Sequence, residues 1–131
     1  MNTELKQLIQ DFIVIPMAIK VYEQDKKLIA ADFTMANLYI SMIDAVIDRL
    51  RQVQIETKKK LYTKYHVDVK RVGNTSYKWL SRGESGIIEF TPQELREMTR
   101  DIMEKYMYGT KFKLKDGFVD QLRRLEKENP R

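Results

Sequence analysis

Apolar positions recur at helical spacing in three long blocks of this chain, and one shorter block breaks the rhythm. In the first block Leu5, Leu8, Ile9, Phe12, Ile13, Met17 and Val21 fall three and four residues apart. That spacing predicts a helix over residues 3–24. Between Phe12 and Tyr22 the apolar arc widens to include Val14, Ile15, Ala18 and Ile19. A helix apolar nearly all round is buried on several sides. Pro16 sits inside it; its ring removes a donor and crowds the preceding turn, so a kink or restart is expected there. Asp25-Lys26-Lys27 then interrupts the pattern, and Leu28 to Phe33 read as a short helical turn in the connection.

The second block is the most regular. Met35, Tyr39, Met42, Val46, Leu50, Val53, Thr57 and Leu61 trace one stripe with no Gly or Pro between them. A helix over residues 34–65 would be a rod of about 48 Å. Its second half carries Lys58, Lys59, Lys60 and Lys64, so it is expected to project beyond a bundle or to support a partner chain.

The period then changes to two. Val67 and Val69 alternate with Asp68 and Lys70, and Ser76-Tyr77-Lys78-Trp79-Leu80 follows Gly73-Asn74. This predicts a hairpin over residues 67–81, with Gly73-Asn74 as a two-residue turn at positive φ. A helix running on through Tyr62, Tyr65, Val69, Val72 and Trp79 is the rival reading; Gly and Asn inside it would cost about 1.5 kcal/mol, which favours the hairpin. Arg82-Gly83-Glu84-Ser85-Gly86 reads as a flexible turn, and Ile87, Ile88 and Phe90 as a possible third extended piece. Thr91, Pro92 and Glu94 then spell a capping box with Pro at the first helical position, and Phe90 holds the staple position. Leu95, Met98, Ile102 and Tyr106 continue as a helix over residues 92–107, which Gly109 ends. The tail, 110–131, is basic and weakly patterned, with a possible short helix around Phe118, Leu122 and Leu125 and a fraying end.

The pattern therefore predicts a mainly α single domain over residues 1–131: a three-helix bundle with a long second helix and a β-hairpin inserted before the last long helix. With 131 residues, 43% of them hydrophobic, the chain can bury a core without staples. It has no cysteine, which removes disulfides, thiolate metal sites and thiol nucleophiles. The apolar run from Phe12 to Ile19 is broken by Pro16 and is far shorter than the roughly 20 residues that span a bilayer. With no signal peptide in view, a cytoplasmic location without membrane contact is expected. The net charge of +5 favours acidic partners only slightly.

Chemistry-bearing residues are sparse. Glu94, Glu97, Asp101 and Glu104 share a helix face, and Asp44 and Asp48 make a second pair. Bundle metal sites of that kind add Glu-x-x-His motifs, whereas this chain has one His, and Arg96, Arg100 and Lys105 alternate with the acids as on a solvated face. His66 would share a strand face with Asp68, but it has no nucleophile motif beside it. Gly83-x-x-Gly86 lacks the Gly-Lys-Ser/Thr ending of a phosphate loop. No enzyme, cofactor or metal is expected on these grounds.

Two surfaces remain. Tyr77, Trp79, Arg82 and Phe90 have the composition of a protein-interface hot spot, or of a hairpin face packed on helices. Lys58, Lys59, Lys60, Lys64, Lys70 and Arg71, interleaved with Tyr62 and Tyr65, resemble a weak nucleic-acid platform, or a solvated helix end.

The proline in the first helix, the long second helix, the element Trp79-Leu80-Ser81-Arg82-Gly83-Glu84 and the helix end Tyr106-Met107-Tyr108 together resemble a group of small uncharacterised helical proteins of spore-forming bacilli. The resemblance covers residues 3–108. It implies this topology and a bacterial cytoplasmic setting, and it supplies no catalytic residues. The expectation is a non-enzymatic protein-interaction or structural module, associating as a homodimer that would cover the broad first helix and the long second one. The alternative is a nucleic-acid-binding protein using residues 58–71 and the hairpin.

Overall fold

A computed structural model of the chain describes residues 2–29 and 35–109. The expected short helix and fraying end within 110–131 lie outside the described residues, and so does most of the turn expected over 28–33. Among the described residues the order is α1 (Thr3–Lys27), α2 (Ala36–Thr63), β1 (Asp68–Arg71), β2 (Ser76–Ser81), β3 (Glu84–Glu89) and α3 (Pro92–Gly109). The mainly α fold with a hairpin before the last helix is as expected, and a third strand completes an antiparallel sheet of order β1-β2-β3.

α1 starts on Asn2, whose side-chain oxygen accepts from the Leu5 N–H at 2.8 Å and satisfies one of the helix's free donors. It runs through Pro16 and on to Lys27, so the expected restart does not occur. Apolar burial on both sides of the proline, by Ile13, Val14 and Ile15 before it and Ala18 and Tyr22 after it, holds the two halves in one core. Pro16 itself faces outward. Asp25-Lys26-Lys27 extends the helix instead of breaking it. The two lysines lie in its last turn, where cations suit the helix dipole.

α1 is buried on several sides, as its wide apolar arc requires, because α2 and α3 both pack on it. Lys26–Asp44 at 2.6 Å, Arg51–Glu23 at 2.7 Å and Lys64–Glu4 at 3.0 Å set α1 and α2 antiparallel. Between the helices lie Ile9, Ile15, Val46 and Leu50, all nearly solvent-free, each contributing about 1.5–3 kcal/mol by leaving water. α2 has 28 residues, about 42 Å of helix. Its buried stripe continues through Val53, Thr57 and Leu61, because the sheet covers the far end: Leu61 shares one core with Val67, Val69 and Tyr77. The projecting half-helix expected from the lysine run is therefore covered along one side by its own chain. No helix of the described residues is long and apolar enough to cross a membrane.

α2 leaves its last turn through His66, which adopts the left-handed conformation (φ 53°). The next N–H, of Val67, reaches back to the Leu61 carbonyl at 2.9 Å. His is one of the few non-glycine residues that enter this region with any frequency. The lone histidine thus reverses the chain ahead of β1, and the strand face with Asp68 expected for it does not form.

The two turns of the sheet exchange the roles the sequence suggests. Gly73 and Asn74 do not take positive φ. Residues 72–75 instead make a longer loop, closed by Val72 N–H to the Ser76 carbonyl at 2.9 Å. The Arg71 guanidinium donates to the Gly73 and Asn74 carbonyls, both at 2.9 Å, which holds that loop open. The tight turn is at Arg82-Gly83: Ser81 pairs with Glu84, and both intervening residues have positive φ, 48° and 84°, the signature of a type I′ hairpin. The segment read as flexible is thus a two-residue turn, and Gly86 lies within β3.

The capping box forms as its spelling predicts. Thr91 N–H donates to Glu94 Oε1 and Glu94 N–H to Thr91 Oγ1, each at 3.0 Å.

Candidate functional site: an apolar groove between the first and last helices

The four aromatic and arginine positions expected to form an interface do not make one exposed patch. Paired residues of antiparallel strands point to the same face, so Val69, Trp79 and Gly86 line the inner face of the sheet together with Tyr77 and Ile88. Tyr77 is only 6% exposed and meets the Phe90 ring edge-on at 6.1 Å between centroids. These two residues close the sheet onto the helices. Trp79 is half-buried and lies across Gly86, where a Cβ would stand 2.7 Å from Trp79 Cε2. Arg82 is exposed at the tip of the tight turn, away from the other three in the register.

The six basic positions are divided as well. Lys64 pairs with Glu4, which holds the Glu4 carboxyl below and the Lys64 ammonium above their ordinary values, the hydrogen bond between them being the main cause. Lys70 stands 3.8 Å from Asp68, and Arg71 serves its loop. Lys58, Lys59 and Lys60 are consecutive on a helix and diverge by about 100° each. Among the described residues, no three His, Asp or Glu side chains converge into a set that would hold a metal ion.

The geometry points to a different place. α1 and α3 meet along a groove of about 680 Å³ whose lining includes Met17, Val21, Leu95, Met103, Met107 and Tyr108. The capping box fixes where α3 begins, and from that start Leu95, Thr99 and Ile102 turn inward and are buried. Met103 and Met107 come next to them, at i and i+4, and flank the groove instead of filling it. Tyr108 stands at the helix end, 88% exposed. Arg96, Arg100 and Glu104 line the same groove and put both signs of charge on it.

Two hydroxyls at the groove floor are spoken for. Tyr22 donates to the Met103 carbonyl at 2.7 Å, and Thr99 donates to the Leu95 carbonyl at 2.7 Å. Burial, with a smaller contribution from the nearby Asp25 charge, pushes the Tyr22 phenol up to about 12, so it stays neutral at physiological pH. The groove presents an apolar packing surface between α1 and α3. Thioether side chains make such a surface adaptable to a partner's shape.

Sequence reasoning did not single out this groove. Met103 and Met107 lie off the Leu95–Met98–Ile102–Tyr106 stripe and form a second apolar line on α3. The second apolar line on α3 was legible in the sequence, but not whether a neighbouring helix covers it.

No curated protein and no solved structure matches this chain. A family match does extend over residues 1–111, from before α1 to just past the end of α3: the chain belongs to the family described as YhjD protein.

Proposed function

We propose that the chain is a non-enzymatic protein-interaction module that pairs with a second copy of itself through the α1–α3 groove, in the cytoplasm of a spore-forming bacterium. The two sequence arguments for pairing lose their force, since α1 and the far end of α2 both find cover within the chain. The observation that carries the reading is the groove itself. Its Met17–Met103–Met107 wall is only partly buried against the core and lies beside an almost fully exposed Tyr108. An isologous contact brings the same patch to itself. Tyr108 of each copy then has an apolar slot on the other, and Arg96, Arg100 and Glu104 offer both charges to a two-fold rim. Tyrosine and methionine are the residue types enriched in such interfaces.

The nucleic-acid reading asks six cations to act together. Three of them have intramolecular partners and the other three diverge, so no observation favours it over pairing. Sedimentation velocity across the micromolar range tests the proposal: it expects a dimer whose population rises with concentration. Fluorescence polarisation with short DNA and RNA at low salt is expected to show no binding. Tight binding that falls steeply with salt, as counterion release requires, would favour the alternative.

A further inference from the structure

On another side of α1 lies a second cavity, of about 730 Å³, where α1, α2 and the inner edge of the sheet meet. Its apolar lining includes Phe12, Ile55 and Val69, and its cations are Lys20, Lys58 and Arg71. Each cation comes from a different element, and no Asp or Glu lines the cavity. Neither Lys20 nor Lys58 has an ion pair among the described residues. Arg71 spends two of its donors on loop carbonyls, which orients the guanidinium without neutralising it. With three cations and no acid in its lining, the cavity is charge-complementary to an anion.

We propose that this cavity binds a free single-chain amphiphile: an anionic head among Lys20, Lys58 and Arg71, with an aliphatic tail along Phe12, Ile55 and Val69. The size falls within the range of about 300–1,000 Å³ typical of small-ligand sites. Charge complementarity sets the head. The lining sets the tail, because beyond the cations its polar side chains are only Gln54 and the Tyr77 phenol. Two such groups are too few to pair the hydroxyls and ring nitrogens of a sugar or a base, and polar ligand groups left unpaired on burial disfavour binding. The two cavities share Met17, but the cations and the tail contacts named here lie outside the pairing groove, and the proposal does not depend on dimerisation.

The test is calorimetric titration of the full chain with decanoate, 1-decanol and acetate, with decanoate repeated while amide NMR shifts are followed. Decanoate is expected to bind one per chain, shifting amides near Lys20, Lys58 and Val69. Decanol, lacking the charge, is expected to bind at least about tenfold more weakly, as loss of a charge-assisted contact implies. Acetate should give no saturable binding. Lys20→Ala/Lys58→Ala should weaken decanoate about tenfold or more on the same reasoning. Ile55→Glu, at a position 68% exposed and therefore harmless to folding, should abolish binding while leaving the melting temperature unchanged. The proposal is overturned if decanoate does not bind, if decanol binds as well, if the variants bind like the parent, or if the shifts fall elsewhere. Binding only to anionic vesicles and not to monomeric decanoate would equally overturn it, in favour of a membrane-surface contact.

Discussion

The Tyr22 hydroxyl donates a 2.7 Å hydrogen bond to the Met103 carbonyl and so ties α1 to α3 beneath the groove. Tyr22→Phe should cost about 1 kcal/mol, the usual net value of one such bond. The pH dependence follows from the phenol's position at about 12 against an ordinary 10.0. Above pH 10 the unfolded chain releases this proton and the folded chain keeps it, so stability falls as pH rises through that window. The contribution is complete below pH 10 and gone above about 12. Urea denaturation of both proteins between pH 8 and 11.5 should show parent and variant converging as pH rises; parallel curves would deny the buried, bonded phenol.

Trp79 across Gly86 is the second constraint on the sheet. Gly86→Ala would place a Cβ 2.7 Å from Cε2 and 2.8 Å from Cζ2 of the indole. The ring must swing out, at a cost of about 1–3 kcal/mol for overpacking. Trp79 is the only tryptophan, so its emission should move to longer wavelength in the variant. Combining Gly86→Ala with Trp79→Leu should cost less than the two changes summed, since one removes what the other strikes.

The turns make opposite predictions for two glycines. Gly83→Ala, at φ 84°, should destabilise by about 1–2 kcal/mol, the cost of forcing a side chain into the left-handed region. Gly73→Ala meets only ordinary contacts with Ser76 at 3.5 and 3.6 Å, and thermal melts should place it within about 0.5 kcal/mol of the parent. Arg82→Asn creates the Asn-Gly pair that type I′ turns prefer, and should raise the melting temperature.

At the start of α3, Thr91→Ala removes one half of the reciprocal cap, the 3.0 Å bond to the Glu94 N–H. A loss of about 1 kcal/mol is expected by chemical denaturation. Because the cap is exposed, the change should leave core packing and Trp79 emission untouched.

Those contrasts mark how far the sequence could be read. Helical spacing and the Thr91–Glu94 spelling are local, and the three helices and the last cap followed from them with ends displaced by a few residues. The turns were exchanged because the deciding contacts are not local to the turn dipeptides. Arg71 reaches forward to the Gly73 and Asn74 carbonyls and holds that loop open. Asn-Gly order would have marked a type I′ turn, but here the order is Gly-Asn at residues 73–74 and Arg-Gly at 82–83. Tyr77 and Trp79 have the composition of an interface and serve as packing, because a small sheet needs an aromatic inner face to stay on its helices. The groove was hidden for a related reason: whether Met103 and Met107 are covered depends on the angle at which α3 meets α1, which no single-helix pattern encodes.

The central claim, that the α1–α3 groove pairs two copies, is tested most directly by sedimentation equilibrium of the parent beside Tyr108→Asp. Tyr108 is 88% exposed, so the substitution leaves the fold intact and places a charge in the proposed contact. The account predicts a reversible dimer for the parent at high micromolar concentration, and a monomer for the variant with an unchanged melting temperature in dilute solution. A parent that stays monomeric throughout, or a dimer that Tyr108→Asp leaves undisturbed, would contradict it.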